Sequence, residues 1–275
     1  MPHQQSTSYG ESRLRMLRVL RHGDRHDPKD LTIALRFEGD AAAMVPGEAI
    51  KNLVHRIARD EDHATIETLA LSMCTHILAA HTGVRLARVD IVEQPWARLE
   101  AGGKPQGKAF TPAGVERRTV TVTSNGSRTS VTGGLDNLVL LRTSGFVPIE
   151  RGRTSDEPTV DGLQRLFVAS LSARWAYASG DIAFAAGRHG VRAAIVDTFA
   201  WHSGQSAHDT LSAIADVVLE SYQEISEVTL TLQERPYRPV DLLELALDGD
   251  ALFVAHDEPV GMVEITVARE ADVSA

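Results

Sequence analysis

At 275 residues and 43% apolar side chains, the chain can bury one large core or two of ordinary size. A formal net charge of -9 argues against a surface for nucleic acid or anionic membrane, so neither partner is expected. The single cysteine, Cys74, excludes an intrachain disulfide and points to a reducing compartment. No apolar run reaches membrane-spanning length, residues 1–9 lack the apolar core of a signal peptide, and the last four residues carry no Ser-Lys-Leu type of address. A soluble cytoplasmic protein is the expectation.

From Arg13 to Asp40 two alternating segments flank the polar stretch Asp24 to Lys29 and predict an antiparallel hairpin. His22, Asp24, His26 and Asp27 cluster in this turn, without the partner spacing of a known zinc pattern. Glu48–Ala58 and Ala64–His81 carry apolar residues at helical spacing and predict two helices that lay one face on the hairpin's sheet. Val84–Leu99 and Val115–Thr123 read as strands joined through a Gly/Pro-rich loop at 102–107. Asn125-Gly126 is a tight turn leading back through Ser130–Thr132 toward Leu138–Leu140. In the second half, Phe167–Tyr177 alternates like a half-buried strand, Arg188–Trp201 and Ala207–Tyr222 read as helices, and strands return at Ile225–Leu232 and Leu252–Val267. Val240–Leu245 is a further extended stretch.

Arg165 stands at the mouth of the Phe167–Tyr177 strand, after a Pro/Thr/Asp-rich loop. A guanidinium's planar fork matches two acceptors on a flat anion or carbonyl-rich ring, which makes Arg165 a candidate ligand clamp as well as an ordinary strand-end arginine.

The segment DGLQRLFVASLSARWAY resembles the second-half signature of the urate oxidase (uricase) family, in which an Arg precedes a strand close to L-T-A-R-W-x-Y. YGESRLRMLRVLRHGDRHDPKDLTIALRFEGD, Ile50-Lys51-Asn52, RRTVTVTSNGSRTSVTGGLDNLVLLRTSGF, SAHDTLSAIADVVLESYQEISEVTLTLQERPY and LFVAHDEPVGMVEITVAR are similar to further segments of that family, so the likeness runs from about Tyr9 to Arg269. The resemblance implies an α+β tandem T-fold of two ββααββ halves, with antiparallel sheets and helices on one face. The halves are expected at 9–142 and 143–270, with flexible tails at 1–8 and 271–275. It also implies a homotetramer enclosing a tunnel, active sites at subunit interfaces, and a purine-like heterocycle and dioxygen as the small-molecule partners. No metal or organic cofactor is implied.

Carried over position by position, Phe146 takes the place of the Phe that stacks on the ring and Arg165 that of the clamp. The family's Ser-Val-Gln-x-Thr-Leu is matched by Ser206-Ala207-His208-Asp209-Thr210-Leu211, which puts His208 where a Gln grips the opposite edge. An imidazole gives one hydrogen bond or takes one, whereas a carboxamide does both. The family's Lys after Tyr-Gly becomes Glu11, its Thr ahead of the first helix falls on Gly47, next to Glu48, and its Asn-x-His becomes Glu234-Arg235-Pro236. Gly and Pro side chains cannot pass a proton, so the Lys-Thr-His relay is absent.

Two carboxyl groups facing a pocket with one guanidinium disfavour a bound anion unless one carboxyl is protonated, and a carboxyl of raised pKa is suited instead, as its carboxylate, to act as general base toward a neutral or cationic heterocycle. The expected catalytic residues are therefore Glu11, Glu234 and His208. The expected substrate contacts are Arg165, Phe146, His208, Ala207, Gly47 and Glu48. The activity expected is a cofactor-independent, oxygen-using oxidase or hydroxylase of urate or a related heterocycle. A non-catalytic heterocycle-binding or scaffold homologue is the alternative, and a metal site of Glu11, Glu234 and His208, of the kind other T-fold proteins use, is a third possibility.

Overall fold

The computed structural model describes residues 7–39, 45–60, 65–143, 166–180, 182–202, 206–235, 237–240, 252–256 and 261–269. The chain forms two compact units, Met1–Asp136 with Trp175–Arg188, and Asn137–Arg174 with His189–Ala275.

In the first unit, β1 (Thr7–His22) and β2 (Arg25–Gly39) make a long antiparallel hairpin. The turn is tighter than the polar run 24–29 suggested, because Gly23 adopts φ 60°, which permits a two-residue connection. Residues 25–29 are consequently strand. Alternation then buries Leu31, Ile33, Leu35 and Phe37 on one face of β2. β3 (Val84–Gln94), β6 (Arg117–Ser124) and β7 (Thr129–Arg142) extend the sheet in the order β1-β2-β3-β6-β7, each neighbour antiparallel.

Helix α1 (Gly47–Asp60) turns Ile50, Leu53, Val54 and Ile57 inward, an i, i+3, i+4, i+7 stripe. Helix α2 (Ile66–Ala80) begins in a capping box, with the Thr65 hydroxyl accepting from Thr68 N and the Thr68 hydroxyl reached by Thr65 N. Its buried face of Leu69, Ala70, Met73, Cys74 and Ile77 lies on β3 and β6.

The expected single strand 84–99 breaks at Pro95, which has no N–H for a ladder bond. The chain leaves the sheet there as β4 (Trp96–Ala101), which pairs with β5 (Lys104–Pro112), a strand not anticipated from a segment holding two prolines and a glycine.

Strand β8 (Phe167–Tyr177) buries Phe167, Ala169, Leu171, Ala173, Trp175 and Tyr177 on one face. Helix α3 (Phe184–Trp201) starts a turn before the expected Arg188 and buries Phe184, Val191, Ile195 and Phe199. Helix α4 (Ala207–Ser221) is N-capped by Ser206, whose hydroxyl accepts from Asp209 N, and it packs on β9 (Ile225–Glu234) and β12 (Met262–Ala268). In the second unit the strand order is β7-β8-β9-β12. Between β9 and β12 a short hairpin, β10 (Tyr237–Pro239) with β11 (Phe253–Ala255), parallels the β4–β5 excursion of the first unit. Of the extended stretch 240–245, only Val240 lies within the described residues. The core elements therefore run ββααββ twice, β1-β2-α1-α2-β3-β6 and β7-β8-α3-α4-β9-β12. This is the α+β architecture, antiparallel with helices covering one sheet face, that the sequence led us to expect.

Candidate functional site

The position of Glu11 is set by a β-bulge. Ser12 and Arg13 together oppose Ala34, and Arg13 takes φ 64°. Glu11 pairs with Leu35 and Leu14 with Ile33, so the bulge leaves Glu11 on the same, helix-covered face as those buried side chains. There it meets the start of α1. A Cβ built on Gly47 would lie 2.1 Å from Glu11 Oε1, so the carboxylate occupies the volume of the missing side chain. Two residues 36 positions apart in the chain are thus brought together. The carboxylate lies at the positive end of the α1 dipole, where its charge is favoured. Glu48, the next residue, points to solvent and pairs with Lys51 at 3.3 Å.

Glu11 also borders a cleft of about 340 Å³ lined by Tyr9, Gly10, Ser12, Arg36 and Asp90 among others. The floor of this cleft is ionic. Arg88 chelates Asp90 through Nε and Nη2 at 2.8–3.2 Å, and the Thr121 hydroxyl donates to Asp90 Oδ1 at 2.6 Å. Burial works to raise the Asp90 pKa, but these hydrogen bonds and the charges of Arg88 and Arg36 outweigh it and hold the carboxyl below its usual range.

The second unit carries the other described candidates. Ala207 and His208 open α4, Ala207 buried and His208 exposed. In the first turn of α4, Thr210 is fully buried, its hydroxyl donates to Ser206 O at 3.2 Å, and it lies 3.4 Å from His202 Nδ1, just after α3. Arg142 caps that same helix end, donating from Nη1 to His202 O at 2.6 Å.

Glu234 ends β9, half-buried, with its backbone N–H bound to Gly261 O at 2.9 Å. The next residue, Arg235, donates from Nη2 to Asn137 Oδ1 at 2.9 Å, and Ser170 Oγ donates to the same oxygen at 2.8 Å. Asn137 itself sits at φ 59°. Sequence reasoning missed this anchored guanidinium. Its partner is 98 residues distant and held in a left-handed conformation, and neither property has a local sequence signal.

Arg165, Phe146 and Pro236 lie outside the described residues. Among the described residues, no group of three His, Cys, Asp or Glu side chains gathers in a way that could hold a metal ion. Asp24, in the β1–β2 turn, binds Lys108 at 2.8 Å, and Asp27, in β2, binds Lys29 at 3.2 Å. Among the described residues, no helix is long and apolar enough to cross a membrane.

The chain is 29% identical to a uricase of Danio rerio over 96% of this chain and 94% of that protein, and 27% identical to the uricase of Arthrobacter globiformis over 95% and 88%. The crystal structure of Arthrobacter globiformis uricase superposes with a TM-score of 0.88 at 25% identity, covering 100% of this chain and 98% of that one. A uricase structure from Bacillus fastidious matches with a TM-score of 0.79 at 17% identity, covering 97% and 94%, and bears on the fold alone. The family model described as Uricase matches residues 14–123 and 131–264, which includes Gly47, the α4 start and Glu234. Nearly the whole chain is covered, by sequence and by fold, and it belongs to the uricase family.

Proposed function

We propose that the chain is an oxidoreductase of the urate oxidase type. It uses dioxygen as acceptor, requires no metal or organic cofactor, and acts on urate or a closely related purine-like heterocycle. Family membership across both halves supports the reaction class. The observation that carries the mechanistic reading is the Glu11 carboxylate lodged where Gly47 lacks a side chain. In this reading Arg165 clamps one edge of the ring and Phe146 stacks on its face. His208 and Ala207 hold the opposite edge, while Gly47 and Glu48 border the site. The subunits assemble as a homotetramer with active sites at their interfaces.

Oxidation removes two electrons and two protons from the heterocycle, and dioxygen takes up both pairs to leave as hydrogen peroxide. Protons leaving ring nitrogens need a base. Glu11, and Glu234 where the family has Asn, supply carboxylates in place of the Lys-Thr-His relay. A carboxylate is best matched to a neutral ring, because an anionic one is repelled by it. The substrate preference therefore moves toward neutral or weakly acidic relatives of urate.

The test is oxygen uptake and peroxide release by purified protein in the presence of chelator, with urate, xanthine and guanine derivatives supplied separately. Turnover is expected, and Glu11→Gln should lower kcat by roughly 10²–10⁴-fold, the usual contribution of general acid–base catalysis. Ligand-dependent thermal stabilisation without any oxygen uptake would establish the non-catalytic homologue instead.

A further inference from the structure

The β4–β5 hairpin lies over the end of the β1–β2 hairpin, on the face opposite the helices. On that face Val19 is paired with Pro28 and Arg21 with His26. Between the two hairpins is a cleft of about 330 Å³, lined by Leu17, Val19, Arg21, His26, Pro28, Trp96, Lys108 and Phe110. Its volume falls at the small end of the range for small-molecule sites.

Three features give the cleft a chemical preference. In a chain of net charge -9, its lining holds Arg21, Lys108 and His26 and no carboxylate. Asp24 offsets Lys108 from outside the cleft, at 2.8 Å, whereas Arg21 has no carboxylate partner among the described residues. Two aromatic rings, Trp96 and Phe110, supply flat apolar wall. The wall is braced from behind: the Arg98 guanidinium sits 5.1 Å from the Phe110 ring centre and donates to the carbonyls of His26, Gln106 and Gly107, tying the two hairpins together. The walls are therefore held in place before any ligand arrives. Trp96 adds an indole Nε1 that is buried and has no acceptor among the described residues.

We propose that this cleft is a second small-molecule site, for a planar aromatic anion. The ring lies against Trp96 and Phe110, and the anionic group is held by Arg21 and Lys108. The site is separate from the residues assigned to catalysis, none of which lines it.

Trp96 makes the test direct, since only Trp175 and Trp201 share its signal. Trp201 is 87% exposed and can be replaced by Phe without touching the core, while Trp175 is 1% exposed and shielded from added solutes. In a Trp201→Phe protein, benzoate should change the emission saturably. Benzamide, which has the ring without the charge, and inorganic phosphate, which has the charge without the ring, should each bind roughly tenfold or more weakly, given what charge-assisted hydrogen bonds and aromatic contacts contribute. Arg21→Ala and Lys108→Ala, both at exposed positions, should each weaken benzoate roughly tenfold with unchanged unfolding temperature. Three outcomes overturn the proposal. One is a benzoate response that persists in Trp96→Phe/Trp201→Phe. Another is benzamide or phosphate binding as tightly as benzoate. The last is an Arg21→Ala protein that binds benzoate like its parent.

Discussion

Glu11 and Gly47 share one volume: the carboxylate oxygen of the first fills the space in which the second would carry a Cβ, 2.1 Å from that oxygen. Each residue conditions the other. A methyl group at 47 can be admitted only if the Glu11 carboxylate swings away, and because that carboxylate is the free end of a flexible chain, the move is cheap. Gly47→Ala is therefore expected to change stability by less than about 1 kcal/mol, well below the cost of overpacking a rigid core. Activity toward the preferred heterocycle should nevertheless fall by an order of magnitude or more, because the base has moved. Denaturant titration beside steady-state kinetics separates the two effects. A large stability loss with full activity would mean that Glu11 is structural.

Restoring Lys at 11 and Thr at 47 tests the same pair from the other side. If the two positions act as a unit, Glu11→Lys and Gly47→Thr should each be impaired alone and should couple by about 1–3 kcal/mol in a double-mutant cycle on kcat/KM. The double variant should move preference toward anionic urate. Additive effects on kcat/KM would show that the two side chains act independently in spite of their contact.

Asp90 gives a pH prediction with a defined sign. Its folded pKa lies below the usual carboxylate value, so its bonding to Arg88 and Thr121 stabilises the fold above the unfolded-state pKa and is lost as pH falls through the folded one. The side chains of Arg88 and Asp90 are 46% and 35% exposed, so solvent screening limits the pair to about 0.5–1 kcal/mol. Asp90→Asn should cost that much at neutral pH and nothing once the medium is acid enough to protonate Asp90 in the folded protein. A difference that stays constant down the acid limb would assign the effect to packing instead.

The contrast between what the sequence disclosed and what it hid follows the range of the interactions. Helices α1 and α2 were legible within a few residues because their apolar stripes are local. The β4–β5 hairpin was not, because prolines and a glycine in an edge strand read as loop, and it is held by distant partners such as Arg98 on His26 O. The closeness of Glu11 to Gly47 was implied only by family resemblance. What creates it here is the bulge at Ser12–Arg13, and a single extra residue in a strand leaves no mark on hydrophobic alternation that a reader could distinguish from noise. The Asn137–Arg235 bond is likewise a tertiary choice.

Cys74 supplies a chemical probe of the first unit's core. Burial pushes its thiol up to about 12, and its Sγ lies 3.7 Å from Ala87 O and 3.8 Å from Val122 O beneath α2. With the thiolate as the reactive form, the native protein should fail to react with a disulfide reagent at mildly alkaline pH. It should react fully, one thiol per chain, once denaturant opens the core. Prompt reaction of the native protein would mean that α2 opens locally from the sheet.

Beneath the start of α2 lies a buried ionic group whose energetics can be separated by mutation. Glu67 is 1% exposed, and neither carboxylate oxygen has a hydrogen-bond partner among the described residues. Its charge is offset at longer range by Arg188, whose own pKa is lowered first by burial and next by Arg118, against the opposing pull of Glu67, Glu93 and Tyr177. Glu93 in turn is bound by Lys29 at 3.6 Å and Arg118 at 3.4 Å. Charges taken out of water without direct hydrogen bonds are costly, and removing one of a compensating pair exposes the full cost of the other. Arg188→Met should therefore destabilise by about 2–4 kcal/mol in urea unfolding, while Glu67→Leu/Arg188→Met, which removes both charges and keeps apolar volume, should recover most of that loss. If the double variant is as unstable as the sum of its singles, Glu67 and Arg188 do not compensate each other, and the group is held together through Glu93 alone.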